Sequence, residues 1–396
     1  MRFIDLNYYI AGLRKGKKNR WLLVLALCAG PAPRLAAQSP DSLLARLSAQ
    51  QVRRDGFYYA GTFPTLRAWA ATPDVLRADN AIFYTGLIVF TLRRLEPYLD
   101  PGERALCDRI CARALAAYPH YRNRKGRPTY NFWPTDHPVF FPNSRVLAHF
   151  KDSKQITDDL DDTSILWLGE GIPDSTARRL KALMDAHAGG LARPARSSYR
   201  AVRDLPAYSA WFGVRTPTEL DAGVLCNVLY FVGASGLAPD AHDTASARFL
   251  RYVLSTRKYW TDPAYASTYY PRTPVLLYHL ARLIGHYPLD SLDAFRPQLI
   301  RDAHSALFLA RDPMDRVLLG TSLIWLGDTS ALPDPPSIGD GSFLFYIANL
   351  ASLFQNPIRR MFLHSPLCIY HFYCPAYNDA LLLEYLVLRR NLGRRE

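Results

Sequence analysis

The chain has 396 residues, of which 49% are hydrophobic and 13% aromatic, and its formal net charge is +13. This composition supports a large hydrophobic core and excludes a largely disordered protein. Seven basic residues and one acid within residues 1–37 account for +6, which leaves +7 for the remainder without a dense Lys/Arg tract. A nucleic-acid partner is therefore not expected, whereas anionic substrates and lipid head groups are compatible with the charge.

The N-terminus has the pattern of an export signal. A basic stretch ends at Arg20, an apolar run covers residues 21–29, and residues 35–37 offer a small-residue cleavage site before Gln38. The apolar run is shorter than the roughly 20 residues that a membrane-spanning helix needs. We therefore predict an exported protein, periplasmic or secreted, which stays membrane-anchored if the signal is not cleaved. Residues 1–37 are the predicted signal or anchor, and residues 38–396 the predicted single domain.

Helical periodicity dominates the rest of the chain. Apolar residues at i, i+3, i+4 and i+7 predict helices over residues 42–52, 78–99, 102–118, 174–187, 219–234, 240–255, 273–286, 314–326, 341–354 and 376–388. Alternating strand patterns are scarce. About a dozen helices joined by Pro-rich connectors predict an all-α domain of stacked helical hairpins.

Three connectors are rich in aromatic residues. They cover residues 119–154, 205–217 and 259–272. Long connectors without secondary structure inside a compact domain are usually functional. We predict that all three face one cavity; the alternative is ordinary aromatic packing over helix ends.

An acidic run stands directly before an apolar helical segment. Four aspartates occur within five residues, and they would repel one another unless protons, a metal or basic groups hold them: Asp158, Asp159, Asp161 and Asp162. Residues 163–169 recur almost unchanged at 321–327, where apolar residues and glycine replace the acids. This difference favours a chemical role for the acids over a structural one. Helix capping, worth ~0.3–1 kcal/mol for each acid, or a Ca²⁺ site is the alternative.

The sequence Asp159-Leu160-Asp161-Asp162-Thr163 resembles the DxDD-T motif of class II terpenoid cyclases, in the terpenoid cyclase/prenyltransferase-like superfamily. The resemblance implies an α/α toroid of paired helical hairpins. It also implies that Asp161 protonates an alkene or epoxide while Asp159 and Asp162 hold and polarise it. The chain has room for a single toroid and carries no QxxxxxW repeats.

Clustered carboxyls in an apolar pocket raise one pKa and so retain a proton at neutral pH. The cations formed next need aromatic faces. The aromatic residues predicted to bind the substrate are Tyr130, Phe132, Trp133, Trp211 and Tyr270. Three polar residues complete the predicted substrate-binding set: His279 and Arg145, which would help to fix the proton on one carboxyl, and Asp221. The expected partner is a small apolar or isoprenoid substrate, with peripheral membrane contact compatible with it, and no cofactor is expected.

Other interpretations stay open. Asp158, Asp159 and Asp162 also satisfy the DDxxD pattern of class I prenyl synthases, which would bind Mg²⁺. An exported α/α-toroid glycoside hydrolase or lyase would use Asp161 or Asp162 as the acid and Asp221 as the opposing base. The spacing of Cys368, His371 and Cys374 permits a zinc site. A non-catalytic binding scaffold is the third possible function.

Overall fold

The computed structural model describes residues 38–136, 157–213, 216–336 and 343–393. In chain order its elements are α1 (Pro40–Gln50), β1 (Thr65–Trp69), β2 (Arg77–Asp79), α2 (Phe83–Leu95), α3 (Pro101–Leu115), α4 (Leu160–Glu170), α5 (Asp174–His187), α6 (Ala222–Ala234), α7 (Ala241–Ser255), α8 (Lys258–Thr261), α9 (Pro263–Ala266), α10 (Thr273–His286), α11 (Asp290–Asp293), α12 (Arg296–Leu309), α13 (Pro313–Leu326), β3 (Tyr346–Asn349), α14 (Ile358–Phe362), β4 (Ile369–Tyr373) and α15 (Pro375–Leu392). Short 3₁₀ turns cover Glu96–Tyr98, Tyr118–Tyr121 and Leu350–Leu353.

Local sequence sets the ends of several helices. Ser39 and Asp100 begin α1 and α3 with reciprocal capping boxes, and a proline follows each of them at the first helical position. Gly327 ends α13 in the left-handed conformation, with φ 86°. These signals agree with the predicted starts and ends to within a few residues.

The helices fall into two groups by burial. Those of the first group are buried on nearly all sides and pack in the cyclic order α2, α4, α6, α10, α13, α15 and back to α2. The second group, α1, α3, α5, α7 and α12, buries one face only. A helix that is apolar all round belongs in a core, whereas an amphipathic one covers it. Residues from Gln38 onward form one compact unit around this core.

A small antiparallel sheet corrects the all-α prediction. Its strand order is β2-β1-β4-β3, with Leu66 opposite Tyr373 and Tyr346 opposite Phe372. Each strand has three to five residues, too few for the sequence to show a period of two. The described molecule is thus helix-rich with a small sheet.

Two predicted helices differ from the structure because of this sheet. Residues 341–354 were predicted as helical, but β3 and a 3₁₀ turn occupy the described part, and Asn349 caps the turn by accepting from Ala351 N. A short apolar run fits a strand as well as a helix, and pairing with β4 decides between them. Likewise α2 begins at Phe83 rather than at residue 78, because Arg77–Asp79 pairs with β1.

Helix α12 and the short helices α8, α9, α11 and α14 were not predicted. Within the described ranges, no helix combines the length and the apolarity that crossing a membrane requires.

Candidate functional site

The acidic run forms the N-terminus of α4. Asp159 is the N-cap residue, with extended backbone, and its Oδ1 accepts from Asp162 N at 2.6 Å. Asp161 and Asp162 occupy the first turn. One of the four acids therefore has a structural role as a cap, as the alternative interpretation expected.

Backbone pairing brings a second segment against this helix start. Leu160 N donates to Ala210 O at 2.8 Å, and Phe212 N donates to Asp158 O at 3.1 Å. Asp159 and Trp211 consequently lie opposite each other as a bridge pair. This pairing places part of the second aromatic connector beside the acids.

The acids open onto a small pocket with about 20 Å³ of free space. It is lined by the three carboxyls Asp159, Asp161 and Asp162 and by Phe83, Phe132, Ala210, Trp211, Val224, Tyr269 and Tyr346. Small-molecule sites usually have ≈300–1,000 Å³ and mostly apolar walls with a few polar groups. This pocket has such walls, but its free space is far below that range and holds about one water molecule, so a larger ligand requires the walls to move apart.

Asp161 is held by two donors from other helices and loops. Asn227 Nδ2 donates to its Oδ1 at 2.7 Å, and Tyr270 OH donates to its Oδ2 at 2.5 Å. Burial raises the pKa of Asp161 to about 7, although both hydrogen bonds act to lower it and the charges of Asp159 and Asp221 to raise it. At neutral pH the carboxyl is thus close to half protonated.

A buried cation fixes the orientation of Asn227. Arg282 Nη2 donates to Asn227 Oδ1, which turns the Asn227 amide nitrogen toward Asp161. Both side chains are fully buried or nearly so, at 0% and 1% exposure. Arg282 therefore fixes the amide group that donates to Asp161.

Asp159 and Asp162 form a coupled pair behind Asp161. Burial raises the pKa of Asp162 well above its ordinary value, and the neighbouring Asp159 and Asp161 charges raise it further. Burial also raises the pKa of Asp159. In the described part of the chain Asp162 Oδ1 is buried without a hydrogen-bond partner. Burial and mutual repulsion thus both favour the protonated forms of this pair.

The aromatic wall has its own buried support. Glu219 Oε2 accepts from Trp211 Nε1 at 2.9 Å and from Tyr269 OH at 2.7 Å. Arg359 Nη1 lies 3.5 Å from Glu219 Oε1, and both side chains are almost fully buried. Glu219 thus positions two rings of the pocket without lining it.

Asp221, the predicted opposing base, has a capping role. Its carboxyl accepts from Gly223 N, Val224 N, Ser267 Oγ, Thr268 N and Tyr269 N. Burial raises its pKa to about 6, while the Ser267 bond lowers it. These five donors occupy the carboxyl, and it is absent from the pocket lining. It ties α6 to the third aromatic connector.

The geometry does not favour either predicted metal site. Asp158 points away from the pocket, accepting from Asn123 and Thr129 at 2.6 Å each and from Asn131 at 3.2 Å. Strand β4 separates Cys368 from Cys374 by about 20 Å of extended chain and puts His371 on the opposite face. Among the described residues, no three His, Cys, Asp or Glu side chains are grouped to hold an ion.

Of the predicted aromatic residues, two line the pocket, Phe132 and Trp211. Tyr270 lies behind the pocket surface, at Asp161. Tyr130 and Trp133 lie elsewhere. Tyr130 OH donates to Glu170, and Trp133 Nε1 donates to Asp79 Oδ1 at 2.8 Å. Both side chains are fully buried and their polar atoms have hydrogen-bond partners, so both are core residues.

His279 is fully buried next to the site. Its Nδ1 donates to Val275 O at 2.8 Å, and its ring centroid lies 4.3 Å from that of Tyr270. Burial, together with the charge of Arg282, lowers its pKa well below the ordinary value. The neutral imidazole packs against the Tyr270 ring and adds no positive charge to the site. Arg145 lies outside the described residues.

Several residues of the site were not predicted. Phe83, Tyr269 and Tyr346 complete the aromatic wall, and Asn227, Arg282 and Glu219 hold the polar groups. Of these residues, only Asn227 could be singled out from the sequence. It lies six residues after Asp221 and therefore faces a different side of the same helix, so the two side chains serve different places. The others are apolar or polar residues without a motif.

The internal repeat has a different meaning from the one predicted. Its second copy lies well inside α13, which begins at Pro313, so Val317, Leu319 and Gly320 are interior helix residues. The matching acids of α4 stand at a helix start. Because the two positions are not equivalent, the repeat does not show that the fold can dispense with the acids.

The arrangement can donate a proton to a ligand in the pocket and then stabilise positive charge on it. Asp161 has a proton available near pH 7, donors stabilise its conjugate base, and aromatic faces surround the space beside it. Comparisons of the chain with protein-family models, curated proteins and solved structures find no match.

Proposed function

We propose that this chain is a terpenoid cyclase-like enzyme of the class II type, which protonates an isoprenoid in an aromatic-lined pocket. The observation that carries the proposal is the position of Asp161. It is buried in the pocket beside aromatic rings and held by Tyr270 and Asn227. Its pKa of about 7 makes it an acid at neutral pH that can also give its proton up.

We further propose that the helices form a single α/α toroid. The support is the cyclic packing order of the six buried helices, with amphipathic helices outside several of them. The acids stand at the start of α4, one of the six. A site at the end of such a ring would combine an apolar interior with the polar groups of helix termini.

The first chemical step moves the Asp161 proton to one carbon of an alkene, or to an epoxide oxygen. With an alkene, the π electrons form the new C–H bond and the other carbon becomes cationic. With an epoxide, an O–H bond forms while one C–O bond breaks and leaves its carbon cationic. Tyr270 and Asn227 then stabilise the carboxylate that remains. Because ring closure only rearranges bonds, and the last cation returns a proton, the overall reaction is an isomerisation.

Asp159 and Asp162 assist from the same helix end. Burial is the main cause of the raised pKa of Asp161, and the charge of Asp159 raises it further. Tyr346, Trp211 and Tyr269 line the same pocket and supply aromatic surface for the cation. Water-free aromatic faces stabilise cations without attacking them.

A glycan-cleaving function is less well supported. Such enzymes place two carboxyls across a cleft, roughly 5–10 Å apart. All the carboxyls among the described lining residues come from the start of α4, and the other described lining residues carry none. The carboxyl of Asp221 accepts five hydrogen bonds in its role as a helix cap, so it does not serve as the opposing base.

The test is conversion of polyprenyl substrates, with and without a terminal epoxide, in the presence of EDTA, with products identified by mass spectrometry. Asp161→Asn is expected to abolish conversion while the protein remains folded. Asp158→Asn is the matched control, because Asp158 belongs to the same acidic run but lies outside the pocket. Full activity of Asp161→Asn would contradict the proposal, and loss of activity only in Asp158→Asn with a Mg²⁺ requirement would favour the class I interpretation.

A further inference from the structure

The large apolar side chains that stay exposed are concentrated in a few segments. Twelve are exposed among the described residues, and each lies in a stretch that leads into the start of a buried helix. They are Phe57, Val75 and Leu76 before α2, Leu191 before α6, Phe308 and Leu309 before α13, and Leu353, Phe354, Ile358, Met361, Phe362 and Leu367 before α15. Single exposed apolar residues need no explanation, but such a concentration marks an interaction surface.

The buried helices begin at the same end of the molecule. The first turns of α2, α4 and α6 line one pocket, through Phe83, Asp161 and Val224. The N-cap residue of α10 forms an ion pair with Asp315 in the first turn of α13. Tyr84 of α2 donates to β4, the strand that leads into α15, at 2.8 Å. The exposed apolar residues therefore lie at the end of the molecule that carries the pocket.

The polarity of helix α14 and the turn before it is inverted. Arg359 is 1% exposed and lies 3.5 Å from a buried glutamate oxygen, whereas Met361 is 72% exposed and Leu353 58%. Ile358 and Phe362 are exposed as well. A segment that faces water normally turns its arginine outward and its apolar side chains inward. The inversion indicates that an apolar environment covers the apolar patch, which we define as the six exposed residues before α15.

The surroundings of the apolar patch are basic. Residues 341–378 contain no Asp or Glu, and residues 189–203 contain four arginines and no acid. Asn356 N donates to Arg196 O at 3.3 Å, which places the arginine-rich loop beside the patch. Arg196, Arg200 and Arg360 are exposed. This charge is complementary to an anionic surface.

We propose that this end of the molecule binds the surface of an anionic phospholipid bilayer, with the apolar patch inserted at the boundary between head groups and acyl chains. Buried apolar area and the attraction of basic residues to anionic head groups act together in such binding. A bilayer has no fixed shape, so it can cover apolar residues from four separate segments, whereas a protein partner needs a matching surface. A second copy of the chain would bring two arginine-rich loops together. Membrane binding goes beyond the proposed function and does not depend on turnover.

The first experiment is co-sedimentation of the full chain with vesicles of phosphatidylcholine alone and of an equal mixture with phosphatidylglycerol. The wild-type protein is expected to bind the mixed vesicles at least about tenfold more tightly. Leu353→Glu with Met361→Glu should weaken this binding by about tenfold or more, because apolar side chains are lost and negative charge is added. The matched control is Ala234→Glu with Ala238→Glu, which adds the same charge at exposed positions where α6 ends. It should change binding by less than about twofold, because this charge lies far from the membrane and is screened by salt.

The second experiment measures insertion directly, because the basic and apolar residues 1–37 are present in every variant. Met361→Trp and Ala238→Trp each add one tryptophan, and brominated phosphatidylcholine in the mixed vesicles quenches only rings that reach the acyl chains. We expect quenching of the added fluorescence in Met361→Trp and none in Ala238→Trp.

Absence of quenching at residue 361 in vesicle-bound protein would overturn the inference, and so would an equal loss of binding in the two double variants. Self-association of the wild-type protein that Leu353→Glu with Met361→Glu abolishes would assign the patch to a second copy instead. Vesicle binding without isoprenoid conversion would refute the cyclase proposal alone, whereas conversion without vesicle binding would refute this inference alone.

Discussion

Replacing Asp161 by asparagine should change how the stability of the protein depends on pH. Asparagine has the same shape and keeps both hydrogen bonds, because its oxygen can accept from Asn227 and its amide can donate to the Tyr270 oxygen. The substitution therefore removes the titration of Asp161 and little else.

The size of the effect follows from the pKa. Burial raises the Asp161 pKa from 3.8 to about 7. Between these values the folded state holds a proton that the unfolded state has lost, so wild-type stability falls as pH rises. Three pKa units at 1.36 kcal/mol each give a loss of about 4 kcal/mol, complete above pH 7 and absent below pH 4. Asp161→Asn does not suffer this loss.

The assay is guanidinium unfolding of both proteins at a series of pH values from 4 to 8. The free-energy difference between Asp161→Asn and wild type should shift by about 4 kcal/mol in favour of the variant across the series. Asp74→Asn, which changes an exposed aspartate, is the control, and its curve should run parallel to wild type. Parallel curves for Asp161→Asn would mean that Asp161 is hydrated in the folded protein and that burial does not raise its pKa.

Two further substitutions test the support of the site. Gly223→Ala would put a Cβ 2.2 Å from Tyr270 Cδ2, so we expect displacement of the Tyr270 hydroxyl, loss of turnover and destabilisation by about 1–3 kcal/mol in thermal unfolding. Gly102→Ala has open space around its Cβ and should be neutral or slightly stabilising; equal behaviour of the two variants would contradict the packing at Tyr270. Glu219→Gln leaves the buried Arg359 without its counter-charge and should cost about 3 kcal/mol in guanidinium unfolding. The control is Glu96→Gln, at a partly exposed ion pair, which should lower the free energy of unfolding by no more than about 1 kcal/mol. An equal loss of stability in both variants would contradict the support role of Glu219.

The helical part of the fold could be predicted because its signals are local. Apolar periodicity identified most helices within a few residues of their ends, as at residues 240–255, where the structure has Asp240 as the N-cap of α7. The sheet could not be predicted in this way. Its strands are short, and β3 owes its conformation to pairing with β4, which lies 20 residues further along the chain.

The candidate site also has a part that local sequence predicts and a part that depends on distant residues. The acidic run at a helix start and the aromatic connectors were visible in the sequence, since each is a cluster of neighbouring residues. The partners of Asp161 were not, because Asn227 and Tyr270 lie 66 and 109 residues away from it along the chain. Only packing of α6 and the third connector against α4 brings them together.

By itself, then, the sequence determined that a row of carboxyls would stand at the N-terminus of a buried helix in a helix-rich domain. The tertiary structure decided the role of each acid: Asp158 in a polar loop, Asp159 as a cap, Asp161 and Asp162 inside the pocket. The physical reason is that the pKa of a carboxyl depends on how much water and which donors surround it. Those surroundings come from distant parts of the folded chain.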